Sequence, residues 1–123
     1  MNGPLTVAVI GSRRRTDRAT VVACIEALPT GTVIVSGGAA GPDTFAAEAA
    51  RARGLEVRVF RPDLRGARNR GEINGRYLAR NQLIVAAADR VVAFVAPDRR
   101  GGTEDAIRRA IRAAKPVEIV AAP

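Results

Sequence analysis

The sequence predicts an α/β protein in which helices cover both faces of a parallel sheet of about five strands, a three-layer sandwich. Short runs of β-branched and other apolar residues alternate along the 123 residues with longer stretches whose apolar positions recur at helical spacing. Most of the short runs are continuously apolar, as is typical of strands that are buried on both faces. Because helical crossovers join the strands, we expect right-handed connections, the strand order 3-2-1-4-5 and a single domain over residues 1–123.

Each element follows from a local pattern. The apolar runs predict strands over residues 5–10, 32–35, 56–60, 90–95 and 117–120. Helical spacing predicts helices over residues 18–28, 42–53, 77–88 and 104–114. Thr16 or Asp17 can cap the first helix, Pro42 suits the first turn of the second, and Thr103 is the expected cap of the fourth. The polar, glycine-dotted stretch 63–76 is expected to be a loop over the site.

Composition excludes several kinds of chemistry. Hydrophobic residues make up 47% of the chain and aromatic residues only 3%, so the core must consist of Val, Ile, Leu and Ala. A chain without histidine and with one cysteine cannot build a His-based nucleophilic triad, and a zinc site is almost excluded. We expect no metal, and no cofactor apart from a nucleotide-type ligand. The absence of a signal-like or long apolar run favours a cytoplasmic protein without membrane contact.

The formal net charge is +8, almost entirely from arginine. This excess indicates either a polyanionic partner such as nucleic acid or an arginine-rich composition without a functional meaning. The arginines are dense only at residues 13–15 and 65–80, and elsewhere they are spread along the chain.

The stretch 33–43 reads V-I-V-S-G-G-A-A-G-P-D and predicts a buried strand, a glycine turn and a helix start. Such a turn either cradles an anion at the helix N-terminus or is a tight connection without a ligand. Two further strand ends, at residues 11–13 and 99–103, carry similar glycine, hydroxyl and arginine residues. Since ligands of open α/β sheets bind at the carboxyl ends of the strands, these three loops should converge on a phosphate. The spacing matches neither the dinucleotide-binding nor the P-loop motif.

Five short motifs together resemble the SLOG superfamily, which includes DNA-processing protein A (DprA/Smf) and the Lonely Guy (LOG) proteins. They are G-S-R after the first strand, S-G-G-A-A-G-P-D after the second, R-N, A-D and G-G-T. The order and spacing are most similar to the small YspA-like branch. The resemblance implies a Rossmann-like fold, a homodimer or larger assembly, and a pocket for a nucleotide or another phosphorylated small molecule. It implies a site built by Gly11, Ser12, Arg13, Ser36, Gly37, Gly38, Ala39, Gly41, Asp43, Arg80, Asn81, Gly101, Gly102 and Thr103.

One departure from the resemblance bears on catalysis. LOG proteins, which release the base from a nucleoside 5′-monophosphate, resemble one another in P-G-G-x-G-T-x-x-E, and the position of that glutamate here is Ala106. Glu104, Asp105 and Asp43 are the remaining acidic candidates. Acids in a first helical turn also have a purely structural explanation, because they complement the helix dipole. The preferred interpretation is therefore a nucleotide-binding sensor or carrier module. The alternatives are a LOG-like phosphoribohydrolase and a DprA-like single-stranded nucleic-acid binder.

Three further side chains carry two interpretations each. Arg13 either contacts a phosphate or solvates a surface turn. Asp43 either binds a ribose hydroxyl or holds Ser36 or an arginine. Tyr77 either stacks on a base or packs in the core.

Overall fold

The computed structural model describes residues 3–123 and contains one parallel sheet. Its five strands are β1 (Thr6–Gly11), β2 (Val33–Ser36), β3 (Val57–Val59), β4 (Arg90–Phe94) and β5 (Val117–Val120). Their order is β3-β2-β1-β4-β5, and every neighbouring pair is parallel. The predicted fold class and strand order are confirmed. The order in which the strands are added to the sheet reverses between β1 and β4. In open α/β sheets, ligands bind in the crevice at the carboxyl ends of two such strands.

Four helices cover the sheet: α1 (Arg18–Glu26), α2 (Pro42–Ala52), α3 (Arg70–Ala87) and α4 (Gly102–Arg112). Helices α1 and α2 bury Ile25, Ala46 and Ala50 in a core on one face, together with Phe94 of β4. On the other face α3 and α4 bury Ile84 and Ile107. Ala46 and Ala50 of α2 are fully buried, so this helix packs on the sheet through small side chains. Apart from the start of α3, the element bounds lie within two residues of the predicted ones.

The start of α3 corrects the sequence-based prediction. The helix begins at Arg70 rather than Tyr77, so half of the expected loop 63–76 is helical. Asn69 is its N-cap, because Asn69 Oδ1 accepts a hydrogen bond from the Glu72 backbone N–H at 2.9 Å. The Glu72 carboxylate in turn accepts one from Asn69 Nδ2 at 3.2 Å. This reciprocal cap stabilises the start of a helix whose first two turns contain Gly71 and Gly75, which disfavour a helix.

The predicted caps of two other helices are also wrong in detail. Helix α4 begins at Gly102 with Gly101 as N-cap, so Thr103 lies inside the first turn. The Gly101 φ of 91° explains the shift, because glycine enters this conformation without strain. At α1, Asp17 holds the N-cap position, but its carboxylate makes no capping hydrogen bond.

Asp17 instead binds Arg15, whose side chain is only 3% exposed. Arg15 Nε and Nη2 donate to the Asp17 carboxylate at 2.9 and 2.8 Å. These hydrogen bonds lower the pKa of Asp17 to about 2. Arg15 Nη1 also donates to the Val95 and Val120 carbonyls at 2.9 and 2.7 Å. Arg15 therefore ties the β1–α1 loop to the ends of β4 and β5, a structural role that the sequence pattern did not reveal.

None of the helices within residues 3–123 combines the length and apolarity that crossing a membrane requires.

Candidate functional site

A cleft of about 710 Å³ lies at the carboxyl end of β1, beside β4, where the strand order reverses. The β1–α1 loop, the first turns of α2 and α4, and one face of α3 form its walls. The structure brings together ten of the residues expected at the site: Gly11, Ser12, Arg13, Ala39, Asp43, Arg80, Asn81, Gly101, Gly102 and Thr103. The other expected residues are not part of this lining: Ser36, Gly37, Gly38, Gly41, Glu104 and Asp105.

The β2–α2 loop is folded around the side chain of Asp43. Asp43 Oδ2 accepts hydrogen bonds from the Gly37 and Ala39 backbone N–H groups at 3.1 and 3.2 Å. The Gly38 N–H donates to Ser36 Oγ at 3.2 Å. Three N–H groups that a glycine loop would offer to an anion, those of Gly37, Gly38 and Ala39, are therefore engaged by the protein's own oxygen atoms. Gly38 and Gly41, with φ of 76° and 86°, supply the left-handed backbone that this fold of the loop requires.

Burial controls the ionisation of Asp43. The residue is 5% exposed, and removal from water raises the pKa of its carboxyl to about 6. The N–H groups of Ala39 and Gly37 and the positive charges of Arg80 and Arg13 act in the opposite direction. At neutral pH Asp43 is therefore mostly ionised, but it carries a desolvation cost.

Arg80 and Asn81 of α3 hold the loops that shape the cleft. Arg80 Nη1 donates to the Gly37 and Phe60 carbonyls at 2.6 and 3.0 Å. Asn81 is 6% exposed, and its Nδ2 donates to the Gly102 carbonyl and the Asp105 carboxylate, both at 3.1 Å. Arg80 thus fixes the β2–α2 loop, and Asn81 fixes the start of α4.

Positive charge and free backbone donors also line the cleft. Arg13 and Arg14 come from the β1–α1 loop and Arg100 from the β4–α4 loop, and all three are exposed. Arg14 forms an ion pair with Asp98. Within residues 3–123, Arg13 and Arg100 form no ion pair. No side chain in the described part of the chain caps the first turn of α4, so its N–H groups stay available where Gly102 and Thr103 line the cleft.

The acidic candidates of α4 are engaged elsewhere. The Glu104 carboxylate accepts hydrogen bonds from Arg99 Nε and Nη2 at 2.7 and 3.0 Å. Asp105 accepts from Arg109 Nε at 2.7 Å as well as from Asn81. Burial acts to raise the pKa of Asp105, but the hydrogen bonds from Arg109 and Asn81 outweigh it and lower the pKa. Among the described residues that line the cleft, Asp43 alone carries a carboxylate.

Residues 5–66, which contain the β1–α1 and β2–α2 loops, match the YAcAr family, described as the YspA, cpYpsA-related SLOG family. The chain belongs to the YAcAr family. The resemblance to SLOG proteins seen in the motifs is thereby confirmed. No curated protein matches the chain in sequence.

Two solved structures share the fold of this YAcAr protein. DNA processing protein A (DprA) from Streptococcus pneumoniae superposes with a TM-score of 0.80 and 24% sequence identity. The match covers 98% of this chain and 51% of the DprA chain, so the YAcAr chain spans about half of the length of that protein. The protein designated TM1055 superposes with a TM-score of 0.65 and 22% identity, over 92% of this chain and 72% of its own.

The YAcAr cleft also contains residues that the motifs did not indicate. Asn74 and Leu78 line it from α3, and Arg14 lines it from the β1–α1 loop. Arg100 belongs to the loop 99–103 that the sequence places at the site. The apolar pattern assigns Asn74 to a loop and Leu78 to a helix, so it does not place the two side chains on one face. The N-R-G-E pattern at residues 69–72 is a capping signal that would have placed them on one helix.

The described residues 3–123 hold no group of three or more His, Cys, Asp or Glu side chains that could bind a metal ion.

Proposed function

We propose that this YAcAr protein binds a nucleotide or a nucleotide-derived phosphorylated ligand in the cleft and acts as a sensor or carrier module. The observation that carries the proposal is the charge arrangement of the cleft. Exposed Arg13 and Arg100, which have no ion-pair partner in residues 3–123, face the same space as the uncapped first turn of α4. Guanidinium groups and free backbone N–H groups are the donors that proteins use for phosphate.

We place the phosphate at Gly101, Gly102 and Thr103 rather than on the β2–α2 loop. The N–H groups of Gly37 and Ala39 already donate to Asp43, and a phosphate at that loop would have to displace an ionised carboxylate. The start of α4 has no such competitor.

Asp43 then suits a hydroxyl of the ligand. Its Oδ2 is used by the loop, whereas Oδ1 accepts no hydrogen bond within the described residues, and the side chain borders the cleft. A ribose hydroxyl is a donor that this oxygen can accept.

The same geometry argues against turnover. Release of a base from a nucleotide passes through a positively charged, oxocarbenium-like centre that a carboxylate stabilises. The position of the LOG glutamate is the buried Ala106, and Glu104 and Asp105 are paired with arginines outside the cleft. Among the described residues that line the cleft, Asp43 is the one acid, and the N–H groups of its own loop donate to it.

Calorimetric titration with AMP and ribose 5-phosphate tests the proposal, with chromatography of the same mixtures for free adenine. Arg13→Gln should lower the affinity for both ligands about tenfold or more, because it removes a charge-assisted contact with the phosphate. Arg68→Gln is the matched control, since it makes the same charge change at an exposed arginine outside the cleft lining. Equal losses in both variants, or no binding of either ligand, would contradict the proposal. Free adenine would make the protein an enzyme.

Nucleic acid is the second candidate ligand. Five arginines, Arg61, Arg65, Arg68, Arg70 and Arg76, lie close together in sequence between β3 and the second turn of α3, and four of them are exposed. The DprA structure, named as a DNA processing protein, has the same fold. Binding of oligo-dT with a steep loss of affinity at rising salt, without binding of AMP, would favour this candidate.

A further inference from the structure

We propose that the part of the cleft formed by Asn74, Tyr77 and Leu78 is a subsite for an adenine base. This inference rests on the proposed function, because it concerns the base of the same nucleotide. All three side chains line the cleft. They lie on α3 at spacings of three and four residues, so they project from one face of the helix.

The helix that carries the subsite is fixed at its start. Asn69 caps it, and Arg76 Nη1 donates to the Asp63 carbonyl at 2.6 Å. Because α3 begins at Arg70, Asn74 already lies in its second turn rather than in a loop. The three side chains are therefore presented to the cleft on a defined helical surface.

Tyr77 supplies a flat surface for stacking. Its side chain is partly exposed, and the Arg80 guanidinium lies 5.5 Å from the ring centroid. Arg80 is anchored by the Gly37 and Phe60 carbonyls, so the ring has a fixed neighbour on that side. Phe and Trp do not line this cleft in residues 3–123, which leaves Tyr77 as its one aromatic residue. Stacking on an aromatic side chain accepts any base and typically strengthens binding by about tenfold or more.

Asn74 supplies the selectivity. It is exposed, lines the cleft, and its amide makes no side-chain hydrogen bond to another described residue. A carboxamide offers one acceptor and one N–H donor side by side. Adenine presents the complementary pair, the N6 amino donor and the N7 acceptor, whereas guanine presents two acceptors on that edge. The amide of Asn74 therefore fits adenine and leaves its own oxygen opposed to an acceptor in guanine.

Calorimetry with AMP, GMP and ribose 5-phosphate tests the subsite in the full chain. The wild-type protein should bind AMP about tenfold or more tightly than ribose 5-phosphate. Tyr77→Ala should abolish this difference and leave the affinity for ribose 5-phosphate unchanged, while Tyr77→Phe should keep it. Asn74→Ala should bind AMP and GMP with equal affinity. Asn74 is exposed and its side chain forms no hydrogen bond with the described part of the chain, so this substitution should leave the fold intact.

Three results would contradict the proposed subsite. The first is equal affinity of the wild type for AMP and ribose 5-phosphate, and the second is a higher affinity for AMP than for ribose 5-phosphate that persists in Tyr77→Ala. The third is a higher affinity for AMP than for GMP that persists in Asn74→Ala. If circular dichroism shows that Tyr77→Ala is unfolded, the affinities of Tyr77→Leu and Asn74→Ala for the same three ligands test the subsite instead. Absence of binding by both AMP and ribose 5-phosphate would instead contradict the proposed function. The two failures are therefore distinguishable.

Discussion

Replacing Asp43 by asparagine should change how stability depends on pH. The folded protein holds this carboxyl at a pKa of about 6, compared with its ordinary value of 3.8, because the side chain is buried. Between these values the folded state binds more protons than the unfolded state. The stabilising effect of the protonated group is therefore fully present below about pH 4 and is lost as pH rises through 6. The difference between the two pKa values corresponds to about 3 kcal/mol.

The asparagine side chain is uncharged throughout this range, and its oxygen can still accept the Gly37 and Ala39 N–H groups. The free energy of unfolding of Asp43→Asn minus that of the wild type should therefore increase by about 2 to 3 kcal/mol between pH 4 and 7. Urea unfolding followed by far-ultraviolet circular dichroism measures this difference, because the chain has no tryptophan. Other titrating groups cancel in the subtraction.

Asp105→Asn is the control of opposite sign. The pKa of Asp105 is lowered in the folded protein by Arg109 and Asn81, so its stabilising effect is present at neutral pH and lost as pH falls. The free energy of unfolding of Asp105→Asn minus that of the wild type should therefore fall as pH rises towards about 4 and stay nearly constant between pH 4 and 7, so the control is measured from about pH 2 upwards. A flat or falling curve for Asp43→Asn, with the expected trend for Asp105→Asn, would refute the assignment of a raised pKa to Asp43.

Two further predictions concern stability alone and are measured by the same urea unfolding at pH 7. Gly75→Ala should stabilise the protein by about 0.5–1 kcal/mol, because a methyl group there meets open space within a helix. Gly37→Ala should destabilise it, since the new Cβ would lie 2.8 Å from Arg80 Nη1. Equal effects of the two substitutions on the free energy of unfolding would contradict the structure. Asp17→Ala should lower the free energy of unfolding by about 3 kcal/mol, because it leaves a buried Arg15 without its counter-charge. Arg14→Ala should lower it by less than about 1 kcal/mol, because the ion pair of Arg14 with Asp98 is exposed.

The sequence allowed the sheet to be predicted because its strands need no partner to be recognised. Continuous apolar runs mark strands buried on both faces, and the helical crossovers between them restrict the topology. The helix start at Asn69 was missed for a physical reason. Gly71 and Gly75 lower the helix propensity of its first two turns, and the cap that compensates for them lies outside the apolar pattern that indicates a helix.

The partners of individual side chains are harder to predict from the sequence than the helices and strands. The arginine cluster 13–15 looks uniform in sequence, yet the three side chains have different environments. Arg15 is buried against Asp17, Arg14 pairs with Asp98, and Arg13 lines the cleft without an ion-pair partner in residues 3–123. These differences depend on which strands end beside the loop, which is a property of the folded sheet. Composition alone therefore left the meaning of the positive charge open.

The distribution of charge around the cleft limits the kind of ligand that it suits. Four arginines line the cleft, but Asp98 compensates Arg14, and the buried carboxylate of Asp43 lies beside Arg80. Two positive charges, Arg13 and Arg100, remain for a ligand. A phosphomonoester carries close to two negative charges at neutral pH, which balances these two arginines at the first turn of α4. Under the proposed function, the net charge of +8 is therefore not a measure of the charge of the ligand, since only these two arginines of the cleft would meet a phosphate.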